Sequence, residues 1–382
     1  MRAIGIAILV LLLCAASAGT ADESENAQRS RLSELLGGGD DRGFAKALQA
    51  RSFSFPQDHG PHPEYRNEWW YLTGNLDDDG GRRFGFELTF FRFALTPSMP
   101  DADSNWRSKH VYIAHLAITD VRDEKFYVAQ RFSRAALGLA GAQSEPFRVW
   151  IDDWEIAAES GADANVWRLL AGERDFGLDL HLTAVKPPVL NGANGLSQKS
   201  AEPGNASYYY SITRWQTGGS LRIGSVQFSV SGLSWLDREW SSSALAPNQQ
   251  GWDWFALQLS DGSDLLFYNL RLNDGQQDPH SAGTWIGADG EASRIDRSDL
   301  EIVVTDRWQS PSGGIYPAAW TLRLPQESLR LELVPVLADQ ELITTVRYWE
   351  GAVDVSGERH GLPIIGRGYV ELTGYASTVR GQ

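Results

Sequence analysis

Two tandem antiparallel β-barrels are the all-β fold that this sequence predicts, and its length, its hydrophobic period and an internal repeat each indicate it. The 382 residues exceed one ordinary domain and suit two domains of roughly 150–200 residues each. After Arg51 the apolar residues recur with a period of about two instead of 3.6, which is typical of strands. The chain can also be aligned with itself, so each half is expected to form one barrel.

The charge of the chain excludes two classes of partner. Lys and Arg number 34 against 49 Asp and Glu, which gives a formal net charge of −15. No basic run is longer than the pair Arg82-Arg83, so a nucleic-acid or anionic-membrane partner is excluded. The 42% of hydrophobic residues predict a globular chain, and 15 Trp, 12 Tyr and 15 Phe predict an aromatic core.

The amino-terminal end has the pattern of a secretory signal peptide, assigned to residues 1–21. Arg2 precedes an apolar run over residues 3–16 and small residues follow it, so cleavage is expected after Ala18 or Ala21. The run is shorter than the roughly 20 residues that a membrane-spanning helix needs. The mature protein is therefore expected to be exported, and to be periplasmic or secreted.

The single cysteine, Cys14, lies within this segment. Lipid anchoring at Cys14 is the alternative to simple cleavage, but the bulky Leu13 stands where lipoprotein processing favours a small residue. Loss of the segment leaves a mature chain without a thiol, and neither a cofactor nor a metal ion is predicted. Residues 22–50 are expected to form a polar lead-in, with at most a short helix over Gly43–Ala50.

Alternation along the chain predicts half-buried antiparallel strands. Residues 83–93 and 176–185 each place an apolar set on a single face. Turn sequences such as Asp261-Gly262-Ser263 separate successive runs at the spacing of a β-meander. His115 lies in another such run and is expected to be a hydrogen-bonded strand residue. The two apolar sets are Phe84, Phe86, Leu88 and Phe90, and Phe176, Leu178, Leu180 and Leu182.

Matching aromatic positions indicate that the second half repeats the first. Trp70-Tyr71 aligns with Trp254-Phe255 at an offset of 184, and Trp235-Leu236-Asp237 with Tyr369-Val370-Glu371 at an offset of 134. The offset shrinks and the order never inverts, as expected if the first copy carries longer loops. Chance matching in an aromatic-rich sequence is the alternative. The repeat predicts an N-terminal barrel over 51–245 and a C-terminal barrel over 246–382.

Each meander must protect its edge strands. Closure into a barrel removes the edges and leaves an interior that side chains fill or a ligand occupies. The predicted fold is therefore a pair of tandem lipocalin-like (calycin) β-barrels.

Several motifs together resemble one known family. The resemblance to the AttH and carotenoid 1,2-hydratase (CrtC-like) family covers residues 55–378 and rests on FPQDHGPHPEYRNEWWYLTGN, SWLDREWSS, GWDWFALQL, YWEGAV and GYVELTGY. It implies a two-domain calycin fold in exported proteins described as predicted hydrolases. It also implies a relation to enzymes that hydrate an isoprenoid double bond, and a link to components of ABC-type transporters.

The segment around Asp237 and Glu239 is the best candidate for chemistry, since the sequence has no G-x-S-x-G, H-E-x-x-H or G-x-x-x-x-G-K-[ST] motif. On a strand, Trp235, Asp237 and Glu239 share one face. Like charge and poorly hydrated surroundings raise a carboxyl pKa, so Asp237 is the expected proton donor, with Glu239 assisting. The resemblance to hydratases, in which an Asp is the assigned proton donor, also favours Asp237.

Protonation of an alkene also needs electron-rich rings that stabilise the resulting cation. An ion pair of Arg238, or of another Arg, with the two acids at the seam between the barrels is the structural alternative. The rings expected to bind the ligand are Trp235, Trp240, Tyr208, Tyr209 and Tyr210.

A second polar cluster, with two His and three acids, lies within residues 58–68. His59 is a candidate acid or base, and Glu68 is a candidate ligand-binding residue. Pro61 and Pro63 impose an extended chain whose side chains diverge, so no metal site is expected here. The alternative role of this segment is a loop that closes the barrel entrance.

The barrel mouth or lumen is the other predicted ligand site, and the first strand supplies it with Trp69 or Trp70. These residues lie on opposite faces of the strand, so one of them points inward. In calycin barrels a Trp of the first strand and an Arg of the last strand close one end, and Trp69 or Trp70 resembles that Trp. By the same resemblance, Trp252 or Trp254 closes the second barrel together with Arg367.

The two copies are expected to divide their roles. Arg367 lies on the same strand face as Glu371 and is expected to hold that carboxylate ionised, which makes Glu371 a structural group. Asp237 has the like-charged Glu239 as its neighbour instead. The functional acid is therefore expected to be Asp237, in a cavity of the first barrel or at its seam with the second.

Three functions are compatible with these residues. The first is an exported binding protein for a hydrophobic lipid or isoprenoid, which the fold and the aromatic content favour. The second is a hydratase or hydrolase acting on a hydrophobic substrate, with Asp237 as proton donor and Glu239 or His59 assisting. The third is an accessory protein of an ABC-type transporter that docks through loops such as residues 241–250.

Overall fold

Two curled antiparallel sheets make up the fold. The computed structural model describes residues 41–99, 101, 104–159, 165–243 and 245–375. It confirms the all-β class and the tandem lipocalin-like barrels predicted from the sequence. The predicted signal peptide, Cys14 and the lead-in before residue 41 lie outside the described residues. No helix in the described ranges is long and apolar enough to cross a membrane.

The first sheet has 13 strands. They are β1 (Asn67–Asp78), β2 (Arg83–Ala94), β3 (His110–Asp120), β4 (Lys125–Arg134), β5 (Ala140–Ser144), β6 (Phe147–Ile151), β7 (Trp154–Ala158), β8 (Val166–Gly172), β9 (Phe176–Ala184), β10 (Val189–Leu190), β11 (Leu196–Gln198), β12 (Ala206–Ile223) and β13 (Val226–Ser241). Within the described ranges two short 3-10 helices, Gln57–His59 and Pro325–Glu327, accompany the strands of the two sheets.

The second sheet has 10 strands. They are β14 (Gln249–Leu259), β15 (Asp264–Leu272), β16 (Ala282–Ile286), β17 (Ala292–Asp296), β18 (Glu301–Gln309), β19 (Ile315–Leu324), β20 (Leu329–Pro335), β21 (Glu341–Ile343), β22 (Arg347–Arg359) and β23 (Leu362–Leu372).

The two sheets have matching strand orders, except that the first continues with two more strands, β6 and β5, at one end. The first runs β4-β3-β2-β1-β13-β12-β9-β8-β7-β6-β5, and the second runs β17-β16-β15-β14-β23-β22-β20-β19-β18. In each sheet the first strand pairs with the last, β1 with β13 and β14 with β23. Matched topology of this kind is what a repeated barrel produces.

The strand register corrects the alignment of the two copies by one residue. Tyr71 pairs with Asp237 across β1 and β13, and Trp254 pairs with Glu371 across β14 and β23. Because Asp237 and Glu371 are equivalent, Trp254 corresponds to Tyr71, and the alignment of Trp254 with Trp70 is wrong. A shift of one residue moves a side chain to the other face of a strand, so this correction decides which aromatic residues face outward.

Alternate residues of each strand fill two separate cores. The first barrel buries Trp70 and Leu72 of β1, and the second buries Phe255 and Leu257 of β14, among many others. The opposite faces of these same strands are also apolar and meet each other between the barrels. This third cluster contains Tyr71, Tyr209, Trp235, Leu245, Trp254, Ala256, Leu266, Tyr268, Leu270, Ala352 and Tyr369.

The seam between the barrels is closely packed. A Cβ added to Gly85 on β2 would lie 2.6 Å from the Tyr369 hydroxyl on β23, so only glycine fits there without displacing a neighbour. The Asn75 side-chain amide donates a 3.1 Å hydrogen bond to the Gly368 carbonyl. The two barrels are therefore joined by direct contact and not only by the chain between them.

Two further segments are held by contacts with the rest of the chain. Gly43–Ala50 is not helical, and its end is fixed to the first barrel by a 2.8 Å hydrogen bond from the Tyr208 hydroxyl to the Gln49 carbonyl. In the loop proposed to dock a transporter, Leu245 and Ala246 are buried against this chain itself. Both segments pack onto the barrels.

Candidate functional site

A cavity of about 110 Å³ lies between the two barrels. This volume exceeds what one water molecule needs. The first barrel lines it with Trp69, Tyr71, Phe91, Phe93, Ile113, His115, Gln130, Lys199, Tyr209, Asp237 and Glu239. The second lines it with Trp252, Trp254, Tyr268, Leu270, Val346, Tyr348, Glu371 and Thr373.

The outward faces of the central strands place these residues. On β1 the core side chain Trp70 points into the first barrel, so Trp69 and Tyr71 on either side of it point to the cavity. On β14 Phe255 points into the second barrel, and Trp254 points to the cavity. The predicted closure of the second lumen by Trp252 or Trp254 is therefore wrong, because both residues line the cavity between the barrels.

Asp237 accepts hydrogen bonds on both carboxyl oxygens. Its Oδ1 accepts from the Ser211 hydroxyl at 2.5 Å and from the Trp235 indole at 2.7 Å, and its Oδ2 accepts from the Tyr209 hydroxyl. Complete burial raises the pKa of Asp237 to about 6, and the charge of Glu239 adds to this, against the effect of the three hydrogen bonds. Trp235, Asp237 and Glu239 share one face of β13, as the sequence predicted.

The two acids do not form the predicted ion pair with Arg238. Glu239 lies 3.1 Å from the ammonium group of Lys199 and accepts a hydrogen bond from Ser207. Arg238 points to the opposite face of β13 and pairs with Glu68. No cation pairs with Asp237 among the described residues. The physical reason is the alternation of β13, which separates residue 238 from residues 237 and 239.

Glu371 lies in the cavity and pairs with no Arg among the described residues, so its predicted pairing with Arg367 is wrong. Arg367 binds Asp77 of the first barrel, with nitrogen–oxygen distances of 2.5 and 3.1 Å. Four residues along a strand span about 13 Å, too far for Arg367 to neutralise Glu371. Burial, together with the charges of Asp237 and Glu239, raises the pKa of Glu371 to about 8, although a hydrogen bond from Trp252 opposes the shift.

Two further buried acids lie behind Glu371 at the seam. Glu350 on β22 is the register partner of Glu371 and accepts a 2.5 Å hydrogen bond from the Tyr71 hydroxyl. Burial raises the pKa of Glu350 well above its usual range, and the charges of Glu371 and Glu87 add to the shift. Burial also raises the pKa of Glu87 to about 8, and the charge of Glu371 adds to this, although the neighbouring Thr89 opposes the shift. Neither residue was predicted from the sequence.

The remaining predicted ligand-binding residues lie on the other side of the first sheet. Tyr208, Tyr210, Trp240 and Trp70 belong to the core of the first barrel. Glu68 is fully buried and pairs with Arg92 and Arg238. Arg238 also lies 4.0 Å from the centre of the Trp70 ring, which is the Trp–Arg closure expected of the first barrel.

His59 belongs to this interior cluster and not to the cavity. Its Nδ1 is 2.6 Å from the Tyr210 hydroxyl, and its ring packs edge-on against Trp167. Burial lowers the pKa of His59 to about 3, and the charge of Arg238 adds to this. The structure therefore does not bring His59 to Asp237, the acid it was expected to assist.

His115 is hydrogen-bonded as predicted, and it also lines the cavity. Gln130 donates to its Nε2 at 3.0 Å, which leaves Nδ1–H to donate to the Tyr348 hydroxyl at 2.7 Å. Among the described residues, no three His, Cys, Asp or Glu side chains are arranged to hold a metal ion. The polar chemistry available at the cavity is therefore that of carboxyl groups, one ammonium group, hydroxyls and an imidazole.

Tandem lipocalin-like barrels with an aromatic cavity between them define the class of protein. A family model described as AttH-like matches residues 46–375, so the chain belongs to the AttH-like family and the predicted resemblance is confirmed. The crystal structure of an AttH protein from Nitrosomonas europaea is 33% identical, covers 87% of this chain and 100% of that one, and has a TM-score of 0.76.

A second solved structure shares the fold at lower identity. Kievitone hydratase from Nectria haematococca is 18% identical, covers 87% of this chain and 98% of that one, and has a TM-score of 0.64. At this identity the likeness shows the fold alone. No curated protein matches the chain significantly.

Proposed function

We propose that the chain binds a hydrophobic small molecule, of the lipid or isoprenoid class, in the cavity between its barrels. The observation that carries this proposal is the aromatic lining, to which both barrels contribute, among others Trp69, Tyr209, Trp252 and Trp254. Pockets lined by aromatic side chains with a few convergent polar groups are typical of small-molecule sites. Asp237, Glu239, Lys199 and Glu371 are the polar groups here.

Two measurements on the full chain test binding. Native mass spectrometry after gentle purification is expected to show an apolar molecule that remains with the protein. Retinol and oleyl alcohol, added as probes, are expected to quench the fluorescence of Trp69, Trp252 and Trp254, which line the cavity. A protein that is reproducibly empty and binds neither probe would overturn the proposal.

A second candidate function is the addition of water to a carbon–carbon double bond of the bound molecule. Two buried carboxyl groups with raised pKa values at one apolar cavity favour it, because burying an acid costs free energy and acids with shifted pKa values cluster at functional sites. A carboxylic acid would give its proton to one carbon as the π bond breaks, and the oxygen of water would bond to the other. A carboxylate would then take a proton from that water. Kievitone hydratase, which has this fold, is named for a hydration reaction.

Mass spectrometry of the bound molecule tests this second candidate. Incubation of the protein with isoprenoid alcohols such as geranylgeraniol is expected to give a product heavier by one water. Asp237→Asn is expected to abolish that product, whereas the surface variant Asp354→Asn leaves it unchanged. Product formation at an equal rate by Asp237→Asn would exclude a role for this carboxyl group.

A further inference from the structure

Asp237 and Glu371 occupy equivalent positions of the two barrels and line the same cavity. Each lies on the last strand of its sheet, opposite an aromatic residue of the first strand, Tyr71 for Asp237 and Trp254 for Glu371. A hydrogen-bonded path also connects the two sides, since the Trp254 indole donates to the Tyr209 oxygen at 3.2 Å and the Tyr209 hydroxyl donates to Asp237. The repeat thus brings one carboxyl group from each copy to a common site.

We propose that Asp237 and Glu371 share one proton at neutral pH, held by Glu371, and that this pair makes the cavity selective for uncharged ligands that carry a hydroxyl or carbonyl oxygen. This inference rests on the proposed binding function and names the ligand class of the same site.

The hydrogen bonds of Asp237 favour its ionised form. The Trp235 indole can only donate, and it shares Oδ1 with the Ser211 hydroxyl, while Tyr209 donates to Oδ2. A carboxyl proton on either oxygen would compete with these donors. Asp237 is therefore a pre-oriented acceptor.

The surroundings of Glu371 favour its neutral form. The cation nearest in sequence, Arg367, is bound to Asp77, and the cation of the cavity, Lys199, is paired with Glu239. The residue directly opposite Glu371 on β22 is another buried acid, Glu350. An ionised Asp237 disfavours a second negative charge in the same cavity, which agrees with the raised pKa of Glu371.

This arrangement decides which ligands are accepted. With Lys199 and Glu239 neutralising each other, the cavity carries one net negative charge on Asp237, so the carboxylate of a fatty acid is repelled. A hydroxyl or carbonyl oxygen can accept the proton of Glu371, and a hydroxyl can also donate to Asp237. In the hydration reaction the same assignment makes Glu371 the donor to carbon and Asp237 the acceptor of the proton from water.

A matched pair of ligands tests the selectivity. Oleyl alcohol and oleate have the same hydrocarbon chain and differ in the charged end, and their affinities can be measured by tryptophan fluorescence at pH 7. The alcohol is expected to bind about tenfold more tightly or better. Equal or tighter binding of oleate would overturn the inference, whereas failure of both to bind would instead overturn the proposed binding function.

Matched variants locate the charge responsible. Asp237→Asn removes the charge and is expected to reduce the difference in affinity between oleate and oleyl alcohol. Glu371→Gln replaces one neutral group by another. The ratio of the oleyl alcohol affinity to the oleate affinity is therefore expected to stay within about twofold of the wild-type ratio, as in the surface control Asp354→Asn. A ratio that collapses in Glu371→Gln but not in Asp237→Asn would place the charge on Glu371 and refute the assignment.

Residue-resolved titration tests directly which of the two carboxyl groups holds the proton, even if no ligand binds. Carbon-13 labelling of the side-chain carboxyl groups in the full chain, with signals assigned by loss in each variant, gives the two midpoints. Asp237 is expected to titrate below pH 7 and Glu371 above it. Asp237→Asn is expected to shift the Glu371 midpoint downward, whereas Glu371→Gln leaves that of Asp237 in place. Ionisation of both groups at pH 7 would overturn the inference, and circular dichroism checks that each variant is folded.

Discussion

The guanidinium group of Arg238 stacks 4.0 Å from the centre of the Trp70 ring while it pairs with Glu68, so one residue of the last strand contacts two neighbouring residues of the first strand. Glu68 and Arg238 are both fully buried. Buried charges of this kind are tolerated only when they are paired, since removal of one partner leaves the other desolvated without compensation.

Arg238→Met is therefore expected to destabilise the protein by about 3 kcal/mol, because Glu68 loses one of the two Arg residues that pair with it, Arg92 and Arg238. Urea unfolding at pH 7 measures this loss. Arg83→Met, which breaks the exposed pair with Asp354, is the control and is expected to cost less than about 1 kcal/mol. Equal losses in the two variants would contradict a supporting role for the Trp70–Arg238 stack.

Tyr209→Phe is expected to raise the pKa of Asp237 above its value of about 6, because a hydrogen bond that favours the carboxylate is lost. The carbon-13 titration of the Asp237 carboxyl group measures this shift. Tyr208→Phe is the matched control, since its hydroxyl binds the Gln49 carbonyl on the other side of the sheet. A fall in the Asp237 midpoint on Tyr209→Phe would be inconsistent with this hydrogen bond.

Glu87→Gln is expected to stabilise the protein increasingly as the pH rises from 4.5 to about 8. In this window folded Glu87 keeps a proton that the unfolded chain has released, so the wild-type free energy of unfolding falls by about 1.4 kcal/mol per pH unit through this group. Urea unfolding at pH 5 and pH 8 measures the difference. The exposed control Glu301→Gln is expected to show no such trend, and a Glu87→Gln effect independent of pH would argue against a buried neutral acid.

His115→Gln is expected to show the opposite pH dependence. Burial lowers the pKa of His115 to about 3. Between pH 6.5 and 3 the unfolded chain therefore binds a proton at this residue that the folded protein does not bind, so a fall in pH lowers the wild-type free energy of unfolding through this group. The stability deficit of the variant should therefore shrink as the pH falls. Thermal unfolding across this range measures it, and Tyr348→Phe, which retains the imidazole, should keep the acid dependence of the wild type.

Much of the architecture follows from alternation and spacing alone. The apolar set of residues 84–90 identified a strand, and the shared face of Trp235 and Asp237 was predicted correctly. The cavity was harder to place, because both faces of β1 and β14 are apolar and periodicity does not show which face lines a barrel and which lines a seam.

The errors at the site have a geometric cause. A one-residue slip in aligning Trp254 assigned its side chain to the barrel interior and not to the seam between the barrels. Arg367 was paired with Glu371 although four residues along one strand place them too far apart. No local pattern distinguishes Glu87 and Glu350 from solvent-facing acids, since nothing in the sequence around either residue reveals that the other barrel covers it. Long-range packing of the two sheets against each other is the information that the pattern lacked.

The equivalent placement of Asp237 and Glu371 restricts how such a site can be assembled. Two identical barrels in a symmetric homodimer would present the same side chain from both sides, so any substitution would change both carboxyl groups at once. Fusion into one chain breaks that symmetry, because each position can be substituted independently. A half-chain that pairs with itself could reproduce the shape of the cavity, but a short Asp held by three donors facing a longer Glu is available only to the fused molecule.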